Sequence, residues 1–211
     1  NCMDSVVCMG AGFSAGMGIA KSFEKEGVTG KVVFGVVGDS TFFHSGMTGA
    51  AEIVYNKGRM IPCVLDNRIT GMTGHQDNPG TGYTLQGDPT ALLSVEKILT
   101  ALGFAPVLTV DPQDLKAMKA AVDQAVAALD AGQQPAIVTR RPCLLIKRDK
   151  FRKGMCRVNA DKCRSCRSCL KVGCPAISLE NGKAVIDRTQ CVGCTVCAQV
   201  CPFDAIEKEE K

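Results

Sequence analysis

The sequence predicts an α/β protein in which a parallel-sheet domain is followed by a small α+β domain. Apolar, β-branched runs alternate with helical patterns up to residue 139, which is typical of a parallel sheet covered on both faces. Eight of the thirteen cysteines then fall between Cys163 and Cys201. This second segment is too short to bury much core of its own, so bound metal is expected to stabilise its fold.

Within the first domain the sequence predicts four short strands and three longer helices. The strands are expected at residues 32–37, 61–65, 106–110 and 135–139, and the helices at residues 46–56, 91–102 and 111–129. In the last helix Asp111 is a suitable cap, because its short carboxylate can accept hydrogen bonds from the free N–H groups of the first turn. Pro112 suits the first helical position, where no N–H donor is needed.

The second domain contains an internal repeat. Three cysteines recur 28 residues later with the same spacing: Cys163, Cys166 and Cys169, then Cys191, Cys194 and Cys197. Between the triplets, two short strand-like runs at 177–180 and 183–186 flank Asn181-Gly182. An Asn-Gly pair in that position is a strong signal for a β-hairpin.

The spacing of the second cysteine group matches that of bacterial ferredoxins, with three residues before Cys201-Pro202; the first group has four residues before Cys174-Pro175. In this arrangement the fourth cysteine of each group ligates the other cluster. Two [4Fe–4S] clusters are therefore predicted: one held by Cys163, Cys166, Cys169 and Cys201, the other by Cys191, Cys194, Cys197 and Cys174. Paired zinc sites are the structural alternative, but four-ligand zinc has no use for triplets that end in Cys-Pro.

The remaining sequence features restrict the class of protein. Thiolates that act as ligands indicate a reducing, cytoplasmic compartment, and no apolar run is long enough to cross a bilayer. The five other cysteines are expected to be small buried apolar side chains: Cys2, Cys8, Cys63, Cys143 and Cys156. Residues 140–157 carry eight Lys/Arg and one Asp and are interpreted as a basic linker between domains 1–139 and 158–211. No motif around them supports nucleic-acid binding.

Polar residues follow two of the predicted strands. Asp39 comes directly after one strand and Asn67 after the next, and ligands of open parallel sheets bind outside the carboxyl ends of strands. Gly38 and Ser40 allow close approach of a phosphate, and a following helix directs its N-terminus to the same place. A carboxylate and an amide oxygen suit Mg²⁺ shared with a diphosphate.

Gly-Asp-Ser followed by Asp-Asn resembles the motif of thiamine diphosphate enzymes. The resemblance implies Mg²⁺ ligands at Asp39, at the Asn67 side chain and at the carbonyl of Ile69. Ser40 and Asp66 depart from the usual Gly-Asp-Gly and Asn-Asn without replacing a side-chain ligand. Three stretches, at residues 8–12, 38–46 and 66–76, resemble the 2-oxoacid:ferredoxin oxidoreductases. Among these, a thiamine domain followed directly by a two-cluster module is similar to the large subunits of the indolepyruvate branch.

The resemblance implies oxidative decarboxylation of an aryl 2-oxo acid, indolepyruvate, with coenzyme A taking the acyl group and an external ferredoxin taking the electrons. It also implies a pyrimidine-binding domain, normally upstream, and a smaller subunit, so this chain is expected to be a fragment that is inactive alone. Two alternatives stay open. One is the same chemistry on pyruvate or another 2-oxo acid. The other is a plain iron–sulfur electron-transfer module whose first domain is degenerate.

The two histidines and the early glycines complete the candidate site. His44 and His75 lie in predicted strand-end loops within the family motifs and are candidates for contact with substrate or cofactor, although a lone histidine is usually structural. Gly10, Gly12 and Gly16 are expected to let an early helix approach the diphosphate, while simple helix–sheet packing explains Gly16 equally well.

Overall fold

The computed structural model describes residues 3–146 and 154–209. Its contacts divide the chain into two compact units. The first unit holds the described residues up to 146 except 113–115, and the second holds 113–115 and the described residues after 146. None of the helices in these residues is long and apolar enough to cross a membrane.

The first unit is built on a four-stranded parallel sheet. Its strands are β1 (Val33–Gly38), β2 (Met60–Asp66), β3 (Val107–Val110) and β4 (Ala136–Arg140), in the spatial order β1-β2-β4-β3. Gly38 pairs with Leu65, and Asp66 pairs with Arg140. Because all four strands run in one direction, the residues that follow β1, β2 and β4 lie together at one edge of the sheet.

Helices cover both faces of this sheet. They are α1 (Ala11–Lys25), α2 (Asp39–Thr41), α3 (Met47–Tyr55), α4 (Val95–Leu102) and α5 (Leu115–Asp130). Residues of α1, α3 and α4 form one core with Met60 and Val64 of β2, and residues of α5 form a second core with Ile61 and Cys63 of the same strand. This alternation along β2 is the period of two expected of a strand buried on both sides.

The chain between β1 and α3 is one continuous helix with an irregular centre. A π-helical segment, Phe42–Gly46, joins α2 to α3, so the helix starts at Asp39, well before the predicted residue 46. π-helical turns inside α-helices occur frequently at functional sites. Here the irregular turn lies immediately after the carboxyl end of β1.

The starts of the two other predicted helices are also wrong. Helix α5 begins at Leu115 and not at Pro112, which places Asp111 too far upstream to be its cap. The Asp111 carboxylate pairs with Arg141, with Oδ2 and Nη1 2.5 Å apart. Helix α4 begins at Val95 and not at residue 91. Its cap is Ser94, whose Oγ accepts a hydrogen bond of 3.2 Å from the Lys97 backbone N–H.

The second unit consists of two antiparallel strand pairs and two short helical turns. Strand β5 (Met155–Val158) pairs with β8 (Ile206–Glu209), and β6 (Ile177–Glu180) pairs with β7 (Lys183–Ile186). A 3-10 turn, Ser168–Val172, and helix α6 (Val196–Gln199) follow the cysteine loops. Asn181 and Gly182 both have positive φ, 48° and 79°, which confirms the predicted Asn-Gly hairpin.

The predicted basic linker overlaps both units at its ends. Arg140 is the last residue of β4, and residues 155–157 belong to β5. Residues 147–153 lie outside the described residues. The domain bounds 1–139, 140–157 and 158–211 therefore stay a prediction.

Candidate functional site

Asp39 is a buried carboxylate at the carboxyl end of β1. Only 3% of its surface is exposed. Its Oδ2 accepts a hydrogen bond of 3.2 Å from Nδ2 of Asn78. Burial raises the pKa of Asp39, and the nearby charge of Asp66 adds to this, while hydrogen bonds from Asn78 and the Ser40 backbone act in the opposite direction. Burial destabilises the ionised form of a carboxyl group, and a cation bound beside the group stabilises that form.

A second buried carboxylate, Asp66, ends the neighbouring strand and is neutralised by two arginines. Nε of Arg140 donates to its Oδ2 at 2.7 Å, and Nε of Arg68 lies 3.5 Å from the same oxygen. Asp66 therefore has cations of its own within the protein. Asp39 has no ion pair among the described residues, so it is the better candidate for an added metal ion.

Arg140 also bridges to helix α4. Its Nη1 lies 2.5 Å from Oε1 of Glu96. Burial acts to raise the pKa of Glu96, but hydrogen bonds from Arg140 and Ser94 outweigh it and lower that pKa to about 2. The three side chains Asp66, Arg140 and Glu96 thus tie the ends of β2 and β4 to α4.

Asn67 follows Asp66 into the loop and is exposed. Its Oδ1 accepts a hydrogen bond of 3.1 Å from the backbone N–H of Ile69, a local turn that orders residues 67–69. On the other strand, a Cβ added at Gly38 would meet no heavy atom within 4 Å. Packing within the chain does not require this glycine, and the space beside it is open for a ligand to approach the backbone.

The two histidines lie on the surface of the first unit. His44 is exposed within the π-helical segment that follows Asp39, and His75 is exposed in the loop after β2. His75 has a φ of 65°, and its backbone N–H donates to the Thr70 carbonyl at 3.1 Å. Both are accessible to a bound molecule, and their role stays a prediction.

The early glycines are accounted for by close packing. A Cβ at Gly12 would lie 2.2 Å from the carbonyl oxygen of Val36, so α1 rests directly on the backbone of β1. Gly10 has a φ of 92°, and a Cβ there would lie 2.4 Å from Oγ of Ser45. Gly10 therefore lies beside the helix that begins at Asp39, near the carboxyl end of β1, although nothing in the structure tests contact with a cofactor.

Two side chains of this region were missed by the sequence analysis. Asn78 is buried, and besides contacting Asp39 its Oδ1 accepts a hydrogen bond of 2.9 Å from the Gly80 backbone N–H. Asn78 thus fixes the loop after β2 against the start of α2. Arg140 was placed in the predicted linker, yet it is the central cation of the Asp66 and Glu96 pairs. No local pattern marks either residue.

In the second unit the structure brings together the four thiols predicted for the first cluster. Burial raises the pKa of Cys169, and the charges of Cys201, Cys163 and Cys166 raise it further. The same four cysteines line one cavity, whose apolar walls include Val158, Leu179 and Ile206. A cavity with apolar walls that is lined by four thiols fits an iron–sulfur cluster.

The thiols predicted for the second cluster also lie close to one another. Burial raises the pKa of Cys197 to about 12, and the charges of Cys156, Cys194 and Cys174 contribute in the same direction. Cys174, which comes from the first half of the repeat, therefore lies beside the second triplet. Within residues 3–146 and 154–209, no group of three His, Cys, Asp or Glu side chains is close enough to hold a single metal ion. The thiolates around a cubane cluster are farther apart, because each one binds a different corner.

Backbone N–H groups are directed at several of these sulfurs. Ala205 N–H donates to Sγ of Cys201 at 3.4 Å, and Cys156 N–H donates to Sγ of Cys191 at 3.3 Å. Hydrogen bonds from the backbone of Ala184 and Ser165 lower the pKa of Cys163. Such donors stabilise negative charge on thiolates and on the sulfur atoms of a cluster.

The scattered cysteines differ from one another. Cys63 and Cys156 are buried as predicted, whereas Cys8 is exposed and Cys143 is half-buried, and Cys2 lies outside the described residues. Cys8 precedes α1 in a segment that has no core to enter, so the prediction for it was wrong. Cys156 is not only a small buried apolar side chain, because it lies against the Cys191 and Cys197 thiols.

Comparisons with known proteins agree with both units. Residues 2–139 match the model for the C-terminal TPP binding domain of thiamine pyrophosphate enzymes, and residues 184–207 match the model for a 4Fe–4S binding domain. Indolepyruvate oxidoreductase subunit IorA of Pyrococcus abyssi is 38% identical over 98% of this chain, and that of Thermococcus kodakarensis is 39% identical over 97%. The chain spans about a third of the length of these relatives.

A solved structure shows the same fold. The 2-oxoglutarate:ferredoxin oxidoreductase from Magnetococcus marinus superposes with a TM-score of 0.50 at 17% identity, covering 64% of this chain and 45% of that one. The match to the thiamine pyrophosphate model takes in the whole parallel sheet up to Thr139, together with Asp39, Asn67 and Asn78. The chain therefore belongs to the family of thiamine pyrophosphate enzymes, and its first unit is their C-terminal TPP-binding domain.

Proposed function

We propose that this chain is part of a 2-oxoacid:ferredoxin oxidoreductase that oxidatively decarboxylates indolepyruvate or another aryl 2-oxo acid to an acyl-CoA. The observation that carries the proposal is the presence, in one chain, of a TPP-binding sheet and a 4Fe–4S-type unit with eight motif cysteines. A thiamine domain fused to an electron-transfer unit implies that the reaction releases electrons. The similarity to the IorA relatives favours the indolepyruvate substrate.

In the first unit the proposed role of the strand-end residues is to hold Mg²⁺ and a diphosphate. Asp39 supplies the carboxylate, and Asn67 and the Ile69 carbonyl supply neutral oxygens, a ligand set that suits a hard cation. Asn78 holds Oδ2 of the Asp39 carboxylate in one orientation, and the lone pairs of the carboxylate that remain would bind the metal ion. When bound, thiamine diphosphate supplies the carbanion chemistry needed for loss of CO₂ from a 2-oxo acid.

In the second unit the proposed role of the eight motif cysteines is to hold two [4Fe–4S] clusters. The crossed set agrees with the proximity of Cys201 to Cys169 and of Cys174 to Cys197. Two clusters accept electrons singly, which matches ferredoxin as the external acceptor. Thiolate ligands of this kind persist in a reducing cytoplasm.

The experiment is an anaerobic assay on the full-length protein with its partner subunit. Reduction of a viologen dye is measured with aryl pyruvates, pyruvate and 2-oxoglutarate, each with coenzyme A, Mg²⁺ and thiamine diphosphate. The proposal expects the fastest reduction with an aryl pyruvate and formation of the matching acyl-CoA. A preference for pyruvate would support the proposed reaction but contradict an aryl 2-oxo acid as its substrate.

A plain electron-transfer module is the competing function. It predicts no binding of thiamine diphosphate, whereas the buried Asp39 and the open space beside Gly38 favour binding. Calorimetry of the cofactor with and without Mg²⁺ separates the two functions without any turnover. Absence of heat in the presence of Mg²⁺ would favour the electron-transfer module.

A further inference from the structure

The two halves of the cysteine repeat have the same backbone and so provide an internal comparison. Ser165 and Arg167 of the first loop have φ values of 58° and 61°, and Gly193 and Thr195, 28 residues later, have 71° and 65°. Both loops lead into a short helical turn, at Ser168 and at Val196. Differences in side chains between the loops are therefore not dictated by backbone geometry.

The side chains of the two loops differ mainly in charge. The four basic positions of the first loop each have an uncharged counterpart 28 residues later in the second: Lys162, Arg164, Arg167 and Lys171 correspond to Gln190, Val192, Thr195 and Gln199. The first cysteine loop is therefore strongly cationic, whereas the matching positions of the second loop are uncharged. Holding a cluster does not account for this asymmetry, since both loops would hold one.

Three of the four cations have no ion pair with another described residue. Lys162 pairs with Glu207 at 2.8 Å. Arg164, Arg167 and Lys171 are exposed, and no ion pair between described residues includes them. Their loop also carries Cys166, an exposed thiol of the predicted first cluster. Electron transfer requires close approach, so a partner that binds here comes near to that cluster.

Two of these cations, Arg164 and Arg167, lie beside an apolar centre. Phe203 is 44% exposed and Leu179 is 36% exposed, and both line the cavity that contains Cys163, Cys166, Cys169 and Cys201 together with Arg164 and Arg167. An apolar centre with a charged rim is the usual composition of a protein–protein interface.

We propose that this surface, formed by Arg164, Arg167, Lys171, Leu179 and Phe203, is the docking site for an acidic electron-carrier protein, and that electrons leave the enzyme through the first cluster. The inference rests on the proposed function and names the exit point for its electrons. The free cations steer an acidic carrier to the loop, and the apolar centre brings it close to the cluster. The neutral second loop has no such attraction for an acidic protein.

The test uses the full-length holoenzyme with Arg164, Arg167 and Lys171 all changed to Gln, and a second variant with all three changed to Glu. The acceptors are a purified acidic two-cluster ferredoxin and methyl viologen, a small cation that needs no docking. The KM for ferredoxin should rise at least about tenfold in the Glu variant and less in the Gln variant. Viologen reduction and iron content should match those of the wild type.

The matched control changes Lys25, Lys31 and Lys97, three exposed lysines of the first unit, to Glu. It alters the net charge by the same amount and should leave the KM for ferredoxin unchanged. In the wild type that KM should rise between about 0.05 M and about 0.3 M salt, and the Gln variant should show a weaker dependence because it lacks the attracting charges. An equal effect of control and test variants, or no effect of either, would overturn the docking site.

Calorimetric titration of the holoenzyme with ferredoxin, without a 2-oxo acid, separates this inference from the proposed function. Ferredoxin binding that is lost in the Glu variant supports the docking site even if no 2-oxo acid is oxidised. Unchanged ferredoxin binding in the Glu variant, together with normal viologen reduction by 2-oxo acids, rejects the docking site and leaves the enzyme activity intact.

Discussion

Nδ2 of Asn78 donates a hydrogen bond to Oδ2 of Asp39 at 3.2 Å, although 39 residues separate them in the sequence. Both side chains are buried. The bond closes the loop after β2 onto the helix that follows β1 and fixes the orientation of the Asp39 carboxylate. In the proposed site this carboxylate binds Mg²⁺.

Replacement of Asp39 by Ala should abolish Mg²⁺-dependent binding of thiamine diphosphate by the full-length protein. The carboxylate provides the negative charge that holds the cation against the diphosphate. Iron content should not change, because the thiols belong to the second unit. Calorimetry with cofactor and Mg²⁺ measures the effect, and Asp88→Ala, which removes an exposed carboxylate, is the control. Undiminished affinity in Asp39→Ala would show that the metal ion binds elsewhere.

Replacement of Asp39 by Asn should stabilise the cofactor-free protein at neutral pH. Burial raises the pKa of Asp39 in the folded state, so the folded protein binds a proton more tightly than the unfolded chain. Stability then decreases as pH rises through that raised pKa. The neutral amide avoids this loss, and the Tm should rise by about 2–4 °C. Without cofactor, a Tm equal to or below that of the wild type would contradict the prediction.

The crossed cluster ligands can be tested with a pair of variants. Cys174→Ala should damage the cluster held by the second triplet, and Cys201→Ala should damage the cluster held by the first, because each thiol lies beside the triplet of the other half. Iron should fall from about eight to about four atoms in either variant. EPR spectra of the two reduced variants should therefore retain different clusters. Loss of the same cluster in both would overturn the assignment.

Cys156→Ala should retain the full iron content. It is the backbone N–H of Cys156, and not its thiol, that donates to Sγ of Cys191, and alanine keeps that donor. Loss of the hydrogen bond would be expected only if β5 shifted. The iron content of Cys156→Ala is measured and compared with that of Cys174→Ala. A loss as large as in Cys174→Ala would make Cys156 a ligand.

The Asp66–Arg140–Glu96 network should contribute measurably to the stability of the first unit. Arg140→Ala leaves the buried Asp66 with only the longer Arg68 contact and should cost about 2 kcal/mol, less than a fully buried pair because Arg140 is partly exposed. Urea unfolding followed by circular dichroism measures the loss. Glu96→Gln should cost about 1 kcal/mol.

The Glu96 contribution also has a defined pH dependence. Hydrogen bonds from Arg140 and Ser94 lower the pKa of folded Glu96 to about 2, below its ordinary value of 4.5. Its stabilising effect is therefore complete above the unfolded pKa and is lost as pH falls towards 2. The difference in the free energy of unfolding between wild type and Glu96→Gln should therefore become smaller as pH falls from about 4.5 to about 2. A difference that stays constant with pH would exclude ionisation of Glu96 as its cause.

The four strands of the parallel sheet were predicted to within about one residue because their apolar, β-branched runs are followed by Gly, Asp or Arg. The start of α5 was missed because Asp111 and Pro112 are favourable helix-start residues by type, although the helix begins at Leu115. Likewise, counting Lys and Arg placed Arg140 in a linker, since charge in a sequence does not show which carboxylate it meets.

The residues of the candidate site also differ in whether a local sequence motif identifies them. Asp39 and the cysteines lie in short motifs, so local spacing was enough to select them. Asn78 lies in a loop without periodicity, and its function depends on a contact 39 residues away. The two histidines were selected by motif alone, and their exposed positions leave them as predictions.

The position of Cys201 beside the first triplet, and of Cys174 beside the second, has a consequence for biosynthesis. Neither pocket can be completed while the chain is being made until the ribosome has passed Cys197, and the first pocket must wait for Cys201 itself. Until then the first triplet is an open set of thiols, vulnerable to oxygen and to stray metal ions. In the proposed arrangement, cluster insertion would therefore follow synthesis of both cysteine groups, and a chain truncated just before Cys201 would leave its earliest-made triplet without a fourth ligand.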